Sequence, residues 1–283
     1  MNVGLVLSGG MAKGAYQIGA LKALQNFVPM EQITHISAAS VGVLNGYAYA
    51  TRNLEGAETI WKHICNNDTR LIISQLLKSS MLQQTIHSLY SEDRPLKNNF
   101  YCSLYNFTQN TITYKNLLSA DPSLVPIYLK ASVAMPIYNK AVQIGKNAYF
   151  DGAMIDNIPV FPLLKQPLDY VICVYFDDVC YKFENASFDN KIIKITFPSE
   201  RILSQSLIFR QDSIEEMITN GYDRTNFLLN SVFAKGYEDL DHIYHSIQMM
   251  NRGKVNKSIR VTGDVLVTNL NKVTRKIAKR KIL

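Results

Sequence analysis

The sequence predicts an α/β protein built on a mostly parallel central sheet, and three observations carry that expectation. Two units, each a strand, a turn of small residues and a helix, fall within the first fifty residues; successive units of this kind feed a parallel sheet through right-handed crossovers. Short apolar runs suited to burial on both faces recur as far as residue 197. Composition agrees, since 283 residues that are 47% hydrophobic and 19% charged describe an ordered globular chain and exclude disorder, collagen-like repeats and heptad rods.

Residues 3–7 (VGLVL) read as a buried strand running into the tight turn Ser8-Gly9-Gly10. Ile18, Leu21, Leu24 and Val28 then recur at three and four residues, which predicts a helix over 15–27 that Pro29 stops. Residues 33–38 read as the next strand and 41–49 as a helix, with Ser40 at the hinge. Helical spacing over 54–92 (Leu54, Ile60, Trp61, Ile64, then Leu71, Leu76, Leu77) predicts two or three helices. Alternation over 100–107 and 111–114, around Gln109-Asn110, predicts a hairpin. A helix over 124–134 should end before Pro136, with short strands near Val142 and Tyr149. Residues 170–176 and 192–197 read as further buried strands and 213–232 as a long helix. No composition shift marks a linker, so one domain over 1–283 is expected, with a helical carboxy-terminal part from about residue 200.

The longest apolar run, YVICVYF, is far short of the roughly 18 residues that span a bilayer, and MNVGLVLSGG lacks a basic segment and a long apolar core, so the expectation is a cytoplasmic chain. Four cysteines match no zinc spacing and are too sparse for a disulfide scaffold; reduced structural thiols are expected. The net charge of +7 is concentrated in the tail KVTRKIAKRKIL, which holds six of the thirty basic residues and no acid. Removing it leaves 24 basic against 23 acidic residues, a nearly neutral body without the basic face that nucleic acid requires.

Three stretches can carry chemistry. In Ala38-Ala39-Ser40-Val41-Gly42 a serine sits between strand and helix with small residues on both sides, close to the nucleophile elbow that lifts a hydroxyl clear of a sheet. The same position suits a serine that merely caps the helix. Ser8-Gly9-Gly10-Met11-Ala12-Lys13-Gly14 is a glycine-rich turn whose amides can converge on a phosphate or on the oxyanion of a tetrahedral intermediate. Its spacing fits neither a Walker loop nor a dinucleotide fingerprint, so no cofactor is called for. Asp151-Gly152 ends a short strand, where a solvated turn aspartate is the ordinary reading. Nucleophile, anion loop and late carboxylate nevertheless come in the order an acyl hydrolase needs.

SGGMAKGAYQIGALKAL, SAASVGVLNG, LKASVAMP and DGAMIDNIPV resemble, in this order, the four sequence blocks of the patatin-like phospholipase family. The resemblance covers residues 3 to about 165, with a weaker likeness around Gly221 and Tyr222. It implies a three-layer α/β fold with helices on both sheet faces and hydrolysis of fatty-acyl esters of phospholipids or related lipids. Ser40 would be the nucleophile and Asp151 its direct base. Gly9, Gly10 and Met11 amides would form the oxyanion hole, supported by Lys13, Gly14, Gly42 and Gly152. Ala38 and Met11 stand where the family commonly has glycine, and a positive φ at position 11 would strain methionine.

Two alternatives follow from the residues. A Ser-Asp-His triad could draw on His242 or His245, three apart in LDHIYHSI, or the chain could be a lipid- or phosphate-binding module whose serine is a cap. In the tail, Leu266, Leu270, Val273 and Ile277 form an apolar stripe beside the basic residues. This is the pattern of a helix, over 266–283, that lies on an anionic membrane, and equally of a helix docked on the body.

Overall fold

Apolar on both faces, the run at the amino terminus becomes strand β1 (Val3–Leu7), an inner strand of the central sheet in the computed structural model. Residues 1–64, 71–72, 80–136, 138–177, 180–183, 185–197, 208–209, 211–252, 256–259 and 279–282 are described. Helix α1 (Gly14–Leu24) leads to β2 (Ile33–Ala38), α2 (Val41–Ala50) and α3 (Leu54–His63), then to β3 (Leu71–Ile72) and α4 (Ser80–Leu89). The hairpin β4 (Asn99–Asn106) and β5 (Thr111–Asn116) precedes α5 (Val125–Ser132), β6 (Val142–Ile144) and β7 (Asn147–Asp151). The remainder comprises β8 (Tyr170–Tyr175), β9 (Cys180–Phe183), α6 (Ala186–Asp189), β10 (Ile192–Thr196), β11 (Ile208–Phe209), α7 (Gln211–Val232), α8 (Leu240–Asn251), β12 (Asn256–Ile259) and β13 (Lys279–Ile282).

Among the described residues the main sheet has nine strands in the order β10-β8-β1-β2-β4-β5-β13, with β7 and β6 attached beside β4. β10, β8, β1, β2 and β4 are parallel, and β5 closes the hairpin antiparallel to β4. The register of β4 decides where the site can be. Its first half pairs with β2 as far as Ala38 opposite Cys102, and its second half, on the same edge, pairs antiparallel with β7, whose last residue Asp151 lies opposite Leu104. The end of β7 therefore meets the end of β2 across a gap of one β4 residue.

Alternation along the strands sends residues to two cores. Val3, Leu5 and Leu7 join Ile172 and Val174 under α1 to α5, α7 and α8, while Val6, Val171, Cys173 and Tyr175 face Ile158, Val160, Leu163, Phe183 and Phe188. Both faces are thus covered, but unequally, since among the described residues short turns, β9 and the single-turn α6 make up the second layer. A buried pair, Lys194 Nζ to Asp189 Oδ1 at 2.7 Å, ties that layer to β10. Against the other face, α1 is buried nearly all round because α7 lies over it at glycine-on-backbone distance. A Cβ at Gly19 would sit 1.9 Å from Ile218 O, and one at Gly221 2.2 Å from Tyr16 O.

Most expected elements appear within a few residues of their expected bounds. Three differ. Leu71–Ile72, expected within a helix, is a short strand paired with Ile208–Phe209. The carboxy-terminal part is not wholly helical, for Asn256–Ile259 pairs with β9 and Lys279–Ile282 lies parallel to β5 on the sheet edge. The stripe Leu266 to Ile277 lies outside the described residues. A charged strand at an edge suits the need to cover unpaired backbone groups without inviting further strands. Among the described residues no helix is long and apolar enough to cross a membrane.

Candidate active site

Ser40 stands at the end of β2 and the start of α2, with φ +53° and ψ −131°, a backbone state that costs a non-glycine residue on the order of 1–3 kcal/mol. Such strain persists because the surroundings leave no alternative. The Ala39 N–H is bonded to Leu7 O at 3.0 Å, and a Cβ at Gly42 would lie 2.7 Å from the backbone oxygens of both Leu7 and Ser8. Gly42 is therefore required for α2 to start against the end of β1. Ala38 is fully buried within β2, where a methyl group is accommodated.

Although Ser40 occupies the capping position of α2, its side chain makes no capping bond. Its hydroxyl instead lies near Asp151, close enough to draw that carboxyl's proton affinity down. The two were distant in sequence, and the register of β2 and β7 on β4 brings them together. Asp151 is 2% exposed, and its N–H is fixed to Ala134 O at 2.8 Å, which gives the LKASVAMP segment its role as a backbone anchor for the carboxylate. Burial pushes the Asp151 carboxyl up to about 7, against the opposing pull of the nearby Ser40 hydroxyl and of the bond from the Ala153 N–H. The Ala153 N–H donates to Oδ1 at 2.8 Å. Gly152 is needed at the next position, since a Cβ there would meet Ser103 C at 2.4 Å and Leu104 N at 2.6 Å. Cys102, on β4 beside Asp151, is a buried thiol pushed up by burial and by that carboxylate.

The glycine-rich turn lies directly against the serine, because a Cβ at Gly9 would be 2.9 Å from Ser40 Cβ. Of the three expected oxyanion donors, Gly9 has its N–H on Asn157 O at 3.2 Å, while the Gly10 and Met11 amides meet no acceptor among the described residues. Met11 does adopt a positive φ of +53°, the strained state anticipated for a methionine in a glycine's place, at a cost of about 1–2 kcal/mol. Gly10 is extended, and the ring of Phe176 fills the space of its missing side chain at 2.2 Å. Lys13 closes the turn, its N–H donating to Gly10 O at 3.1 Å, and Gly14 leaves room for Trp61 and Val41.

Sequence reasoning missed the groups that hold this turn. Gln17 Nε2 donates to Ser8 O at 2.8 Å, Asn45 Nδ2 donates to Gln17 Oε1 at 3.0 Å and to Gly14 O at 2.9 Å, and Trp61 Nε1 donates to Asn45 Oδ1 at 2.9 Å. A signal was present. Gln17 lies four residues before Leu21, on the same stripe, and Asn45 is a lone amide in an otherwise small and apolar helix. Buried amides of this kind need partners. Asn157, also missed, carried no such signal within its turn.

His242 and His245 are not brought to Ser40. They lie on α8, which Tyr244 ties to Asp169 O at 2.6 Å, at the starting end of β8. Ser40 is at the finishing ends of the parallel strands, five or six residues and therefore about 17–20 Å away. His242 Nε2 is 3.2 Å from Ser231 O, and His245 is exposed. Among the described residues no cluster of three or more His, Cys, Asp or Glu could hold a metal ion.

Sheet, elbow and buried carboxylate define an α/β protein with a serine presented above the carboxyl ends of its parallel strands. A family model described as patatin-like phospholipase matches residues 5–164, more than half of the chain, and the chain belongs to that family. Lysophospholipase NTE1 of Debaryomyces hansenii is 23% identical over 185 residues, covering 61% of this chain and only 12% of that much longer protein. The crystal structure of VipD from Legionella pneumophila shares the fold, with TM-score 0.50 and 14% identity over 81% of this chain and 67% of that one.

Proposed function

We propose that the protein hydrolyses fatty-acyl ester bonds of phospholipids or related lipids through a Ser40/Asp151 dyad. One observation carries the reading: a serine in a strained elbow, making no capping bond to its helix, lies beside a buried carboxylate whose proton affinity is tuned near neutrality. A base with a value near the working pH is both ionised often enough and strong enough to take a serine proton. Ser40 Oγ attacks the ester carbonyl as Asp151 accepts its proton, and the amides of Gly10 and Met11, with the positive end of α2, stabilise the oxyanion. Collapse expels the alcohol, protonated by Asp151. Water, giving its proton to Asp151, then attacks the acyl-enzyme, and collapse releases the fatty acid as Asp151 returns that proton to Ser40 Oγ. Family membership and the likeness to a lysophospholipase support lipid esters as the substrate class. The purified chain should hydrolyse p-nitrophenyl butyrate and lysophospholipid, and Ser40→Ala should lower the rate by roughly three orders of magnitude while unfolding like wild type. A Ser40→Ala variant of wild-type activity would refute the dyad.

The reading includes peripheral contact of the basic tail with anionic membranes, where each lysine or arginine contributes on the order of 1 kcal/mol. Sedimentation with phosphatidylserine-containing vesicles, with and without residues 272–283, measures it.

A further inference from the structure

Each carbonyl of the glycine-rich turn is held by a different group. Ser8 O accepts from Gln17 Nε2 at 2.8 Å, Gly9 O from Asn157 Nδ2 at 3.3 Å, and Gly10 O from the Lys13 N–H at 3.1 Å. In a trans peptide the N–H points opposite to the carbonyl of the same plane. Holding a carbonyl therefore aims the next residue's amide, so Gln17 aims that of Gly9, Asn157 that of Gly10 and Lys13 that of Met11. The first of these is consumed, since Gly9 N–H ends on Asn157 O at 3.2 Å. The other two are the amides left open beside Ser40.

Asn157 thus grips both polar groups of Gly9, its backbone oxygen taking the N–H and its side-chain amide giving to the carbonyl. The fit is tight: a Cβ on Gly9 would lie 2.5 Å from Asn157 Oδ1. Gln17 is also integral to a buried amide network under α1 and α2, whereas Asn157 is half-buried and its side chain makes this one bond among the described residues. Its contribution is therefore separable from folding.

We infer that Asn157 is a positioning residue, whose side chain sets the plane of the Gly9-Gly10 peptide and so aims the Gly10 N–H at the oxygen that becomes the oxyanion. This rests on the dyad reading above. An interaction realised in the transition state and not with bound substrate lowers kcat and leaves KM in place.

The test compares Asn157→Ala and Asn157→Asp with wild type and Ser40→Ala, using p-nitrophenyl butyrate and an alkyl trifluoromethyl ketone that forms a tetrahedral adduct on serine. Asn157→Asp keeps the shape of the side chain and removes its donor, and neither variant touches the backbone half of the grip. Both should lose roughly 10–100-fold in kcat, part of the 100–1,000-fold typical of deleting an oxyanion donor outright, with KM within about twofold. The ketone's inhibition constant should rise in step with the loss in kcat/KM, and the pH midpoint of activity should stay where wild type has it. Wild-type kcat in both variants, a wild-type rate in Asn157→Asp alone, or a raised KM at constant kcat overturns the inference. Should Asn157→Ala unfold, the isosteric variant decides by the same criteria. Failure of the underlying reading looks different: Ser40→Ala then retains activity, or wild type hydrolyses no ester, and the inference falls with it.

Discussion

Replacing Asp151 with asparagine should abolish activity and make the protein more stable, by an amount that grows with pH. The carboxyl is buried and pushed up to about 7 from an ordinary value of 3.8. An acid whose folded-state value is raised is stabilised by its proton. Its full contribution to stability is therefore present below about pH 3.8 and is lost as pH rises through about 7. At about 1.4 kcal/mol per tenfold difference in proton affinity, the accumulated loss is somewhat under 2 kcal/mol at pH 5 and on the order of 4 kcal/mol at pH 8. Asparagine has no proton to lose, and its oxygen still accepts from the Ala153 N–H now bonded to Oδ1. Urea unfolding of wild type and Asp151→Asn at pH 5 and pH 8 should show the gap between them widening by about 2–3 kcal/mol in the variant's favour, or roughly 3–5 °C in Tm. Ester hydrolysis by wild type should fall as pH drops below about 7, where the base is protonated. A gap that does not change with pH, or a variant less stable than wild type at pH 8, would show that Asp151 is not held in this buried state.

The remaining expectations concern the frame of the site. Gly10→Val should cut covalent labelling of Ser40 by a fluorophosphonate because its side chain would displace the Phe176 ring, and adding Phe176→Ala should restore part of the labelling; undiminished labelling in Gly10→Val would refute a role for this turn in holding the oxyanion. Gly42→Ala places a methyl group against two backbone oxygens, and a loss of about 1–3 kcal/mol in unfolding free energy is expected, with no loss counting against the close passage of α2 over β1. Deleting residues 279–283 uncovers the outer edge of β5, so the truncated chain should self-associate in light scattering, and a monodisperse truncated monomer would speak against that pairing.

What the sequence disclosed depended on the range of the interaction behind each feature. The βα units at β1 and β2 were legible because strand, turn and helix are written in adjacent residues, and the small residues at Gly42 and Gly152 were legible as turn chemistry. Their actual necessity is non-local, since each is pressed against another strand's backbone. Leu71–Ile72 misled because a two-residue strand carries no period of its own, and its partner Ile208–Phe209 is far along the chain. The amphipathic stripe on α1 understated that helix's burial, which α7 completes from some two hundred residues away.

The same distinction divides the candidate site. Elbow, glycine turn and Asp-Gly are each local, and each has a commonplace reading in isolation: a cap, a tight turn, a solvated aspartate. Geometry across the sheet removes two of these readings. Ser40 caps nothing, and Asp151 is buried because β7 runs antiparallel into the end of β2 along one edge of β4. In the glycine turn, Gln17, Asn157 and Lys13 occupy the three carbonyls of Ser8, Gly9 and Gly10 while two amides stay open. A turn whose carbonyls are unheld can flip its peptide planes and present acceptors where donors are needed. If the turn holds the oxyanion as proposed, its anion affinity is a property of the groups behind it, and substitutions there, away from Ser40 and Asp151, are where the rate of the chemical step should prove adjustable without loss of substrate binding.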